Sequence, residues 1–120
     1  SKSKGNLVFV SKLVAAGRDP MAIRWALMKS HYRTDRMWTE ELLLQSEREV
    51  QTLRTALSKT EVAKTEQLIQ SIVDLLADDL NTPGVIEALN QWVELSDLGE
   101  NGGDLVTLSE VLDSLLGLKL

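Results

Sequence analysis

The sequence predicts an all-α fold, a helical bundle of about five helices behind a short polar lead. Three observations carry that expectation. Apolar residues recur at three- and four-residue spacing through most of the chain, the pattern that buries one face of a helix. Acceptor-plus-proline starts stand at Asp19-Pro20 and Thr82-Pro83, where a side-chain oxygen can cap the first turn and proline's fixed φ suits the first helical position. Beyond LVFV at 7–10, no segment has the period of a strand.

Each element has its own signals. Ser11 is placed to cap a short helix through Ala16, stopped by Gly17. Asp19-Pro20 opens a second helix to about Ser30, with Ile23, Ala26 and Leu27 as its apolar stripe. HYRTDRMW at 31–38 reads as a loop. Thr39, with Glu40 and Glu41 in the first turn, starts a long helix to about Ser58 that buries Leu43, Val50, Leu53 and Leu57. Thr65 or a neighbour starts the next, with Leu68, Ile69, Ile72, Leu75, Leu76 and Leu80 facing inward. Thr82 caps a helix bearing Ile86, Leu89, Trp92 and Val93. GENGG at 99–103 is the most flexible stretch by composition. A last helix, roughly 105–116, buries Leu108, Val111, Leu112 and Leu115 and ends at Gly117. Each stripe is only three or four turns long, too short for a free coiled coil, so the helices must cover one another.

Length and composition bound the function. At 120 residues and 43% hydrophobic, the chain can bury one ordinary core. No apolar run approaches the 18 or so residues a membrane span needs, and no secretion signal is visible, so a cytoplasmic protein with no membrane partner is expected. Cysteine is absent, which excludes disulfides and cysteine-ligated zinc within the chain. The overall charge of -5 is unevenly placed. Residues 1–36 hold eight Lys/Arg (Lys2, Lys4, Lys12, Arg18, Arg24, Lys29, Arg33, Arg36) against Asp19 and Asp35, net +6, and residues 37–120 hold five against sixteen acids, net -11. An anionic ligand would therefore meet the basic head. The acidic body would repel a polyphosphate backbone, which counts against nucleic-acid binding there.

Few side chains could carry chemistry. In SKSKGN, small residues let a backbone approach a ligand and lysines can follow charge on a departing phosphate, so the stretch is either a phosphate clamp or a solvated tail. His31 is the single histidine and cannot make a metal site alone; a hydrogen-bonded structural place is expected. Asp78, Asp79 and Asn81 lack the loop length and final glutamate of a calcium site, which favours a turn ahead of the next helix. Trp25, Trp38 and Trp92 sit among leucines and valines as core or junction aromatics. The acidic helix faces read as solvated.

These landmarks come in a definite order: SKSKGN, DP at 19–20, an amphipathic segment ending in HYRT, then DDLNTP at 78–83. The set resembles cysteinyl-tRNA synthetases and their relative, the cysteine ligase of mycothiol biosynthesis, over essentially the full chain. NLVFVSKLVAAG, HYRTDRMW, LADDLNTP with a following helix bearing WV, and the closing LLGLKL are more similar to the ligase than to the synthetase. The resemblance implies a C-terminal fragment: residues 1–36 as the end of a Lys-Met-Ser-Lys-Ser-type ATP loop with junction helices, and 37–120 as the C-terminal helical bundle. Ser1-Lys2-Ser3 matches the last three loop residues, so Lys2 would contact ATP phosphates while Ser1 and Ser3 shape the loop.

The implied reaction activates cysteine as cysteinyl-adenylate and joins it to the amine of glucosaminyl-inositol. A cysteinyl-tRNA synthetase fragment, with tRNA as acceptor, is the alternative. A non-catalytic helical interaction module is the second. The implied partner is the N-terminal catalytic core of the same enzyme, which would hold zinc for the cysteine thiol. This chain supplies no metal ligands and no complete catalytic set, so alone it is expected to be inactive.

Overall fold

The computed structural model describes residues 11–30 and 39–120. Residues 11–15 are helical, and five further helices follow: α1 (Pro20–Ser30), α2 (Glu40–Leu57), α3 (Glu66–Ala77), α4 (Thr82–Asp97) and α5 (Leu105–Leu116). No strand occurs among the described residues, only an isolated antiparallel bridge between Ala63 and Gly102. The predicted all-α bundle is what forms.

The helix starts follow from capping chemistry. Asp19 Oδ1 accepts from the Met21 N–H at 2.9 Å, and its carbonyl accepts from Ile23. Thr39 Oγ1 accepts from Leu42 N–H at 3.0 Å, with Glu40 and Glu41 favourably placed in the first turn. Asp104 takes both the Thr107 N–H and its hydroxyl. Gly117 ends α5 at φ +66°, the left-handed geometry that lets Leu118 N–H return to Leu112 O.

α4 is the hub: α1, α2 and α3 all pack on it, and α1 also packs on α2. Val85, Ile86, Leu89, Trp92 and Val93 of α4 meet Leu43, Val50 and Leu53 of α2, Ile72 of α3 and Leu108, Leu112 and Leu116 of α5 in one core. α1 lies between two neighbours, so it buries Ala22, Ile23, Trp25, Ala26 and Met28. Leu27, expected in the stripe, is on the outer arc with Arg24 and is exposed.

Other departures have local causes. Ser11 lies within the helical stretch 11–15 and not ahead of it. α3 stops at Ala77, and Asp79 and Leu80 take φ of 57° and 54°. That left-handed turn carries Leu80 out of the core to 55% exposure. Leu57, Ile69, Leu75, Leu76 and Val111 pack against the core half-buried. On α5 the i, i+4 row Leu108–Leu112–Leu116 faces inward, leaving Leu115 exposed where burial was expected. The cap of α4 is Asn81, whose Oδ1 accepts from Gly84 N–H at 3.0 Å. Thr82 is thereby free to donate its hydroxyl to Met28 O, at 2.9 Å, at the far end of α1.

The glycine-rich loop is a loop, but a pinned one. Val62, Ala63 and Thr65 lie buried against it as a strap, with Lys64 exposed between them. Gly103 N–H donates to Val62 O and Asp104 N–H to Thr65 Oγ1, both at 3.0 Å. Trp92 Nε1 donates to Ala63 O at 2.8 Å, and Ala63 N–H donates to Ser96 Oγ at 3.0 Å. Both side-chain bonds to Ala63 lie away from water, which makes the knot worth keeping intact. A Cβ at Gly103 would stand 2.2 Å from Ala63 O and 2.8 Å from Val62 Cγ2. Gly103→Ala must therefore push two backbones apart, and a loss of about 1–3 kcal/mol is expected in urea unfolding. Gly99→Ala has no such neighbour but sits at φ +92°, so its loss reports left-handed strain alone; wild-type stability in Gly103→Ala would show that the strap yields to the added Cβ.

Candidate functional site

The described polar chemistry concentrates on the seam where residues 18–30 cross α2. Arg18 sends Nη2 to Glu47 at 2.8 Å and Nη1 to Glu40 at 3.1 Å. Asp19 Oδ2 accepts from Arg54 Nη1 at 2.6 Å. Further along, the fully buried Trp25 donates its indole N–H to Glu49 Oε1 at 2.9 Å. Lys29 Nζ reaches both Glu49 oxygens at 3.1 Å. Arg24 leaves the seam and donates Nε to Leu116 O, a cation on the carbonyl end of α5. Beside Lys29, a shallow open cleft of about 430 Å³ runs along α4 past Pro83, Glu87, Asn90 and Glu94.

This arrangement changes how the basic head is understood. Arg18 and Lys29 are each paired with carboxylates within the chain, so their charge braces the fold, whereas Arg24 bonds only a carbonyl and remains exposed. Glu47 and Glu49, expected on a solvated face, are half-buried partners of that brace. They flank the buried Ser46 and Val50, and that edge position was the legible signal: a carboxylate beside an apolar stripe is where a crossing helix delivers its cations. Trp25 and Trp92 are core aromatics as expected, each with its N–H satisfied. Asn81 makes the expected turn, and no cluster of three or more His, Asp or Glu among the described residues is arranged to hold a metal.

Asp19 is the titratable group that the seam perturbs most plainly. Partial burial pushes its carboxyl up, but hydrogen bonds from Arg54 and the Met21 amide, with the Arg54 charge, outweigh that and hold it below its ordinary 3.8. A carboxyl depressed on folding adds stability that is present above the unfolded value and lost as pH falls through the folded one. Asp19→Asn keeps an acceptor for Met21 and removes the charge. The wild-type advantage over Asp19→Asn should be full at pH 6 and shrink steadily below about pH 4. A gap that stays constant down to pH 2 would show that the Arg54 pair contributes nothing.

No protein-family model matches the chain. Individual relatives do, along its whole length. Proteins named L-cysteine:1D-myo-inositol 2-amino-2-deoxy-alpha-D-glucopyranoside ligase are 44% identical in Geodermatophilus obscurus, 45% in Nakamurella multipartita and 43% in Streptomyces avermitilis, each alignment covering 100% of this chain. The chain belongs to this cysteine-ligase family.

It spans about 30% of the length of those ligases and matches their C-terminal part. Within the cysteine-ligase frame, the predicted ATP-loop residues Ser1, Lys2 and Ser3 lie outside the described residues, as do His31 and Trp38. What the structure does describe is the chain that follows residue 10: the helical stretch 11–15, the Gly17 turn and the ion-paired seam. No helix among the described residues is long and apolar enough to cross a membrane.

Proposed function

We propose that this chain is the C-terminal helical part of an ATP-dependent ligase that joins cysteine to the amine of glucosaminyl-inositol. The observation that carries the reading is the end-to-end match, at 38–45% identity, to ligases whose names specify cysteine and that amino sugar. In the first step a cysteine carboxylate oxygen bonds to the α-phosphorus of ATP and pyrophosphate leaves. In the second the sugar amine bonds to the activated carbonyl carbon, AMP leaves with the bonding pair, and the amine gives up a proton. Lys2 meets charge that grows on the departing pyrophosphate, which favours the transition state over the ground state. Residues 1–36 complete the nucleotide side, and 37–120 brace it against an N-terminal catalytic core in the cytoplasm. That core supplies zinc for the thiol; the described residues of this chain hold no ligand set for it.

The deciding experiment gives the full-length parent cysteine and ATP, with glucosaminyl-inositol and cysteine tRNA in separate reactions. Cysteine on the sugar amine alone is expected. Transfer to tRNA alone would replace the reading with a synthetase, and no pyrophosphate exchange with either acceptor would leave a helical interaction module. The 120-residue chain by itself should show no cysteine-dependent exchange.

A further inference from the structure

The bundle is unevenly charged and unevenly covered, and the two features meet on α3. Residues 65–118 hold eleven Asp or Glu and not one Lys or Arg, so α3, α4 and α5 form an acidic half with no cation of its own. α3 lies at the edge of this half, with α4 as its main neighbour. Its apolar arc is wider than that neighbour covers. Leu68 and Ile72 turn into the core, with Leu75 half-buried beside them. A second row, Ile69, Val73 and Leu76 at i, i+4 and i+7, runs along the flank. Ile69 and Leu76 are half-buried, and Val73 is 44% exposed. Leu80 stands at the end of that row, its N–H returning to Leu76 O at 3.2 Å. It is 55% exposed, on a turn where both Asp79 and Leu80 hold the left-handed geometry that L-residues adopt at a cost. Leu44, by contrast, is an isolated exposed leucine among Glu40, Glu41, Glu47 and Arg48, and exposed Leu95 and Leu98 span one turn.

Two observations choose what covers this flank. A second copy would bring two acidic halves together, and like charges across an interface oppose association. The cysteine ligases offer a different occupant. The match covers about 30% of their length, at the C-terminal end, so about 70% of each ligase precedes it and shares a molecule with the bundle. A row of exposed and half-exposed apolar side chains is where such a neighbour gains most by removing surface from water.

We propose that the α3 flank formed by Ile69, Val73, Leu76 and Leu80 seats the preceding part of the parent, which meets it with an apolar surface bordered by Lys and Arg. The apolar row supplies the burial. Glu66, Asp74 and Asp78, on the same helix and its end, select the charge of the border. This rests on the reading of the chain as the C-terminal part of a longer ligase, and it names the surface through which the bundle braces the rest.

The test uses the full-length parent with the photo-cross-linker p-benzoylphenylalanine in place of Val73, of Leu80 or, as a control at the far end of α4, of the 81%-exposed Leu98. After irradiation and digestion, positions 73 and 80 should join basic peptides from the part that precedes this chain, within single molecules, at several-fold higher yield than position 98. Cross-links between two copies would make the flank a self-association surface. Cross-links confined to this chain, or yields no higher than at position 98, would leave it uncovered. Each of these overturns the proposal, as do joined peptides of net negative charge. Leu80→Asn is the second arm. Asparagine accepts the left-handed conformation more readily than leucine, so a purely local effect would slow or preserve amide exchange. Loss of a docked leucine should instead speed hydrogen exchange about tenfold in the peptide joined to position 80, and unchanged exchange there overturns the proposal. Neither readout needs catalysis, so a parent inactive toward glucosaminyl-inositol would remove the ligase activity while the cross-links still decide the docking surface.

Discussion

Replacing Lys2 with alanine in the full-length parent should lower cysteine-dependent pyrophosphate exchange by about 10²–10³-fold, the usual cost of removing one donor from developing charge. The proposed contact strengthens as the α-phosphorus bond to pyrophosphate breaks, so the loss should fall on kcat, with KM for ATP changing far less. Lys4→Ala is the natural comparison. It shares the charge and the neighbourhood, but the match to the ATP loop gives it no role. A tenfold smaller effect at Lys4 is expected, and equal losses at both lysines would show that the lead acts only as diffuse positive charge. Unchanged exchange in Lys2→Ala would remove the loop assignment.

The largest effect on stability is expected at Trp25. Its side chain is fully buried where α1 meets α2 and α4, and its indole N–H is satisfied by Glu49. Truncation to alanine leaves a large cavity at the crossing of three helices, at a cost of about 3–5 kcal/mol. A domain of this kind is held by roughly 5–15 kcal/mol in total, so Trp25→Ala should lose a large share of its stability. Trp25→Phe separates the two contributions. It keeps most of the apolar volume and removes the donor, while Lys29 still satisfies Glu49, so a loss of about 1–2 kcal/mol is expected in equilibrium urea unfolding. If the two variants were equally destabilised, the hydrogen bond and not the packing would be the main term. Exposed Leu98, at 81% exposure, should tolerate alanine with little change.

The two effects meet in one structural idea. α1 is the element that follows the lead, and it is gripped along its whole length: by Glu47 and Arg54 at its start, by Leu116 O and Glu49 in its middle, and by Thr82 at its end. A helix fixed at so many points cannot rotate or slide without breaking charge-assisted hydrogen bonds, each worth more than a neutral one. The bundle is thus suited to brace a neighbouring active site.

Much of this was legible in the chain itself. Helix positions follow from period, caps and prolines, because those act within a few residues of sequence: Asp19-Pro20, Thr39 with its two glutamates, and Gly117 all stand where local chemistry places them. The family could be read from the order of SKSKGN, HYRTDRMW and DDLNTP. What sequence could not decide is which side of a stripe turns inward when a helix has two neighbours, and that is where expectation and structure part. Leu27 faces out because α1 is wedged between α2 and α4 and spends its arc on Trp25 and Met28. Leu115 yields to Leu116 because the i, i+4 row of α5 is the ridge that fits the core. Thr82 surrenders its cap to Asn81 because Met28 O, distant in sequence, lies within reach of its hydroxyl. The glycine loop is pinned by a strap some forty residues earlier in the chain. The acids on α2 become partners only once α1 crosses them. Local forces named the helices and the relatives; the pairing of distant charges and the choice of buried face needed the helices to meet, since neither exists until two segments share a surface.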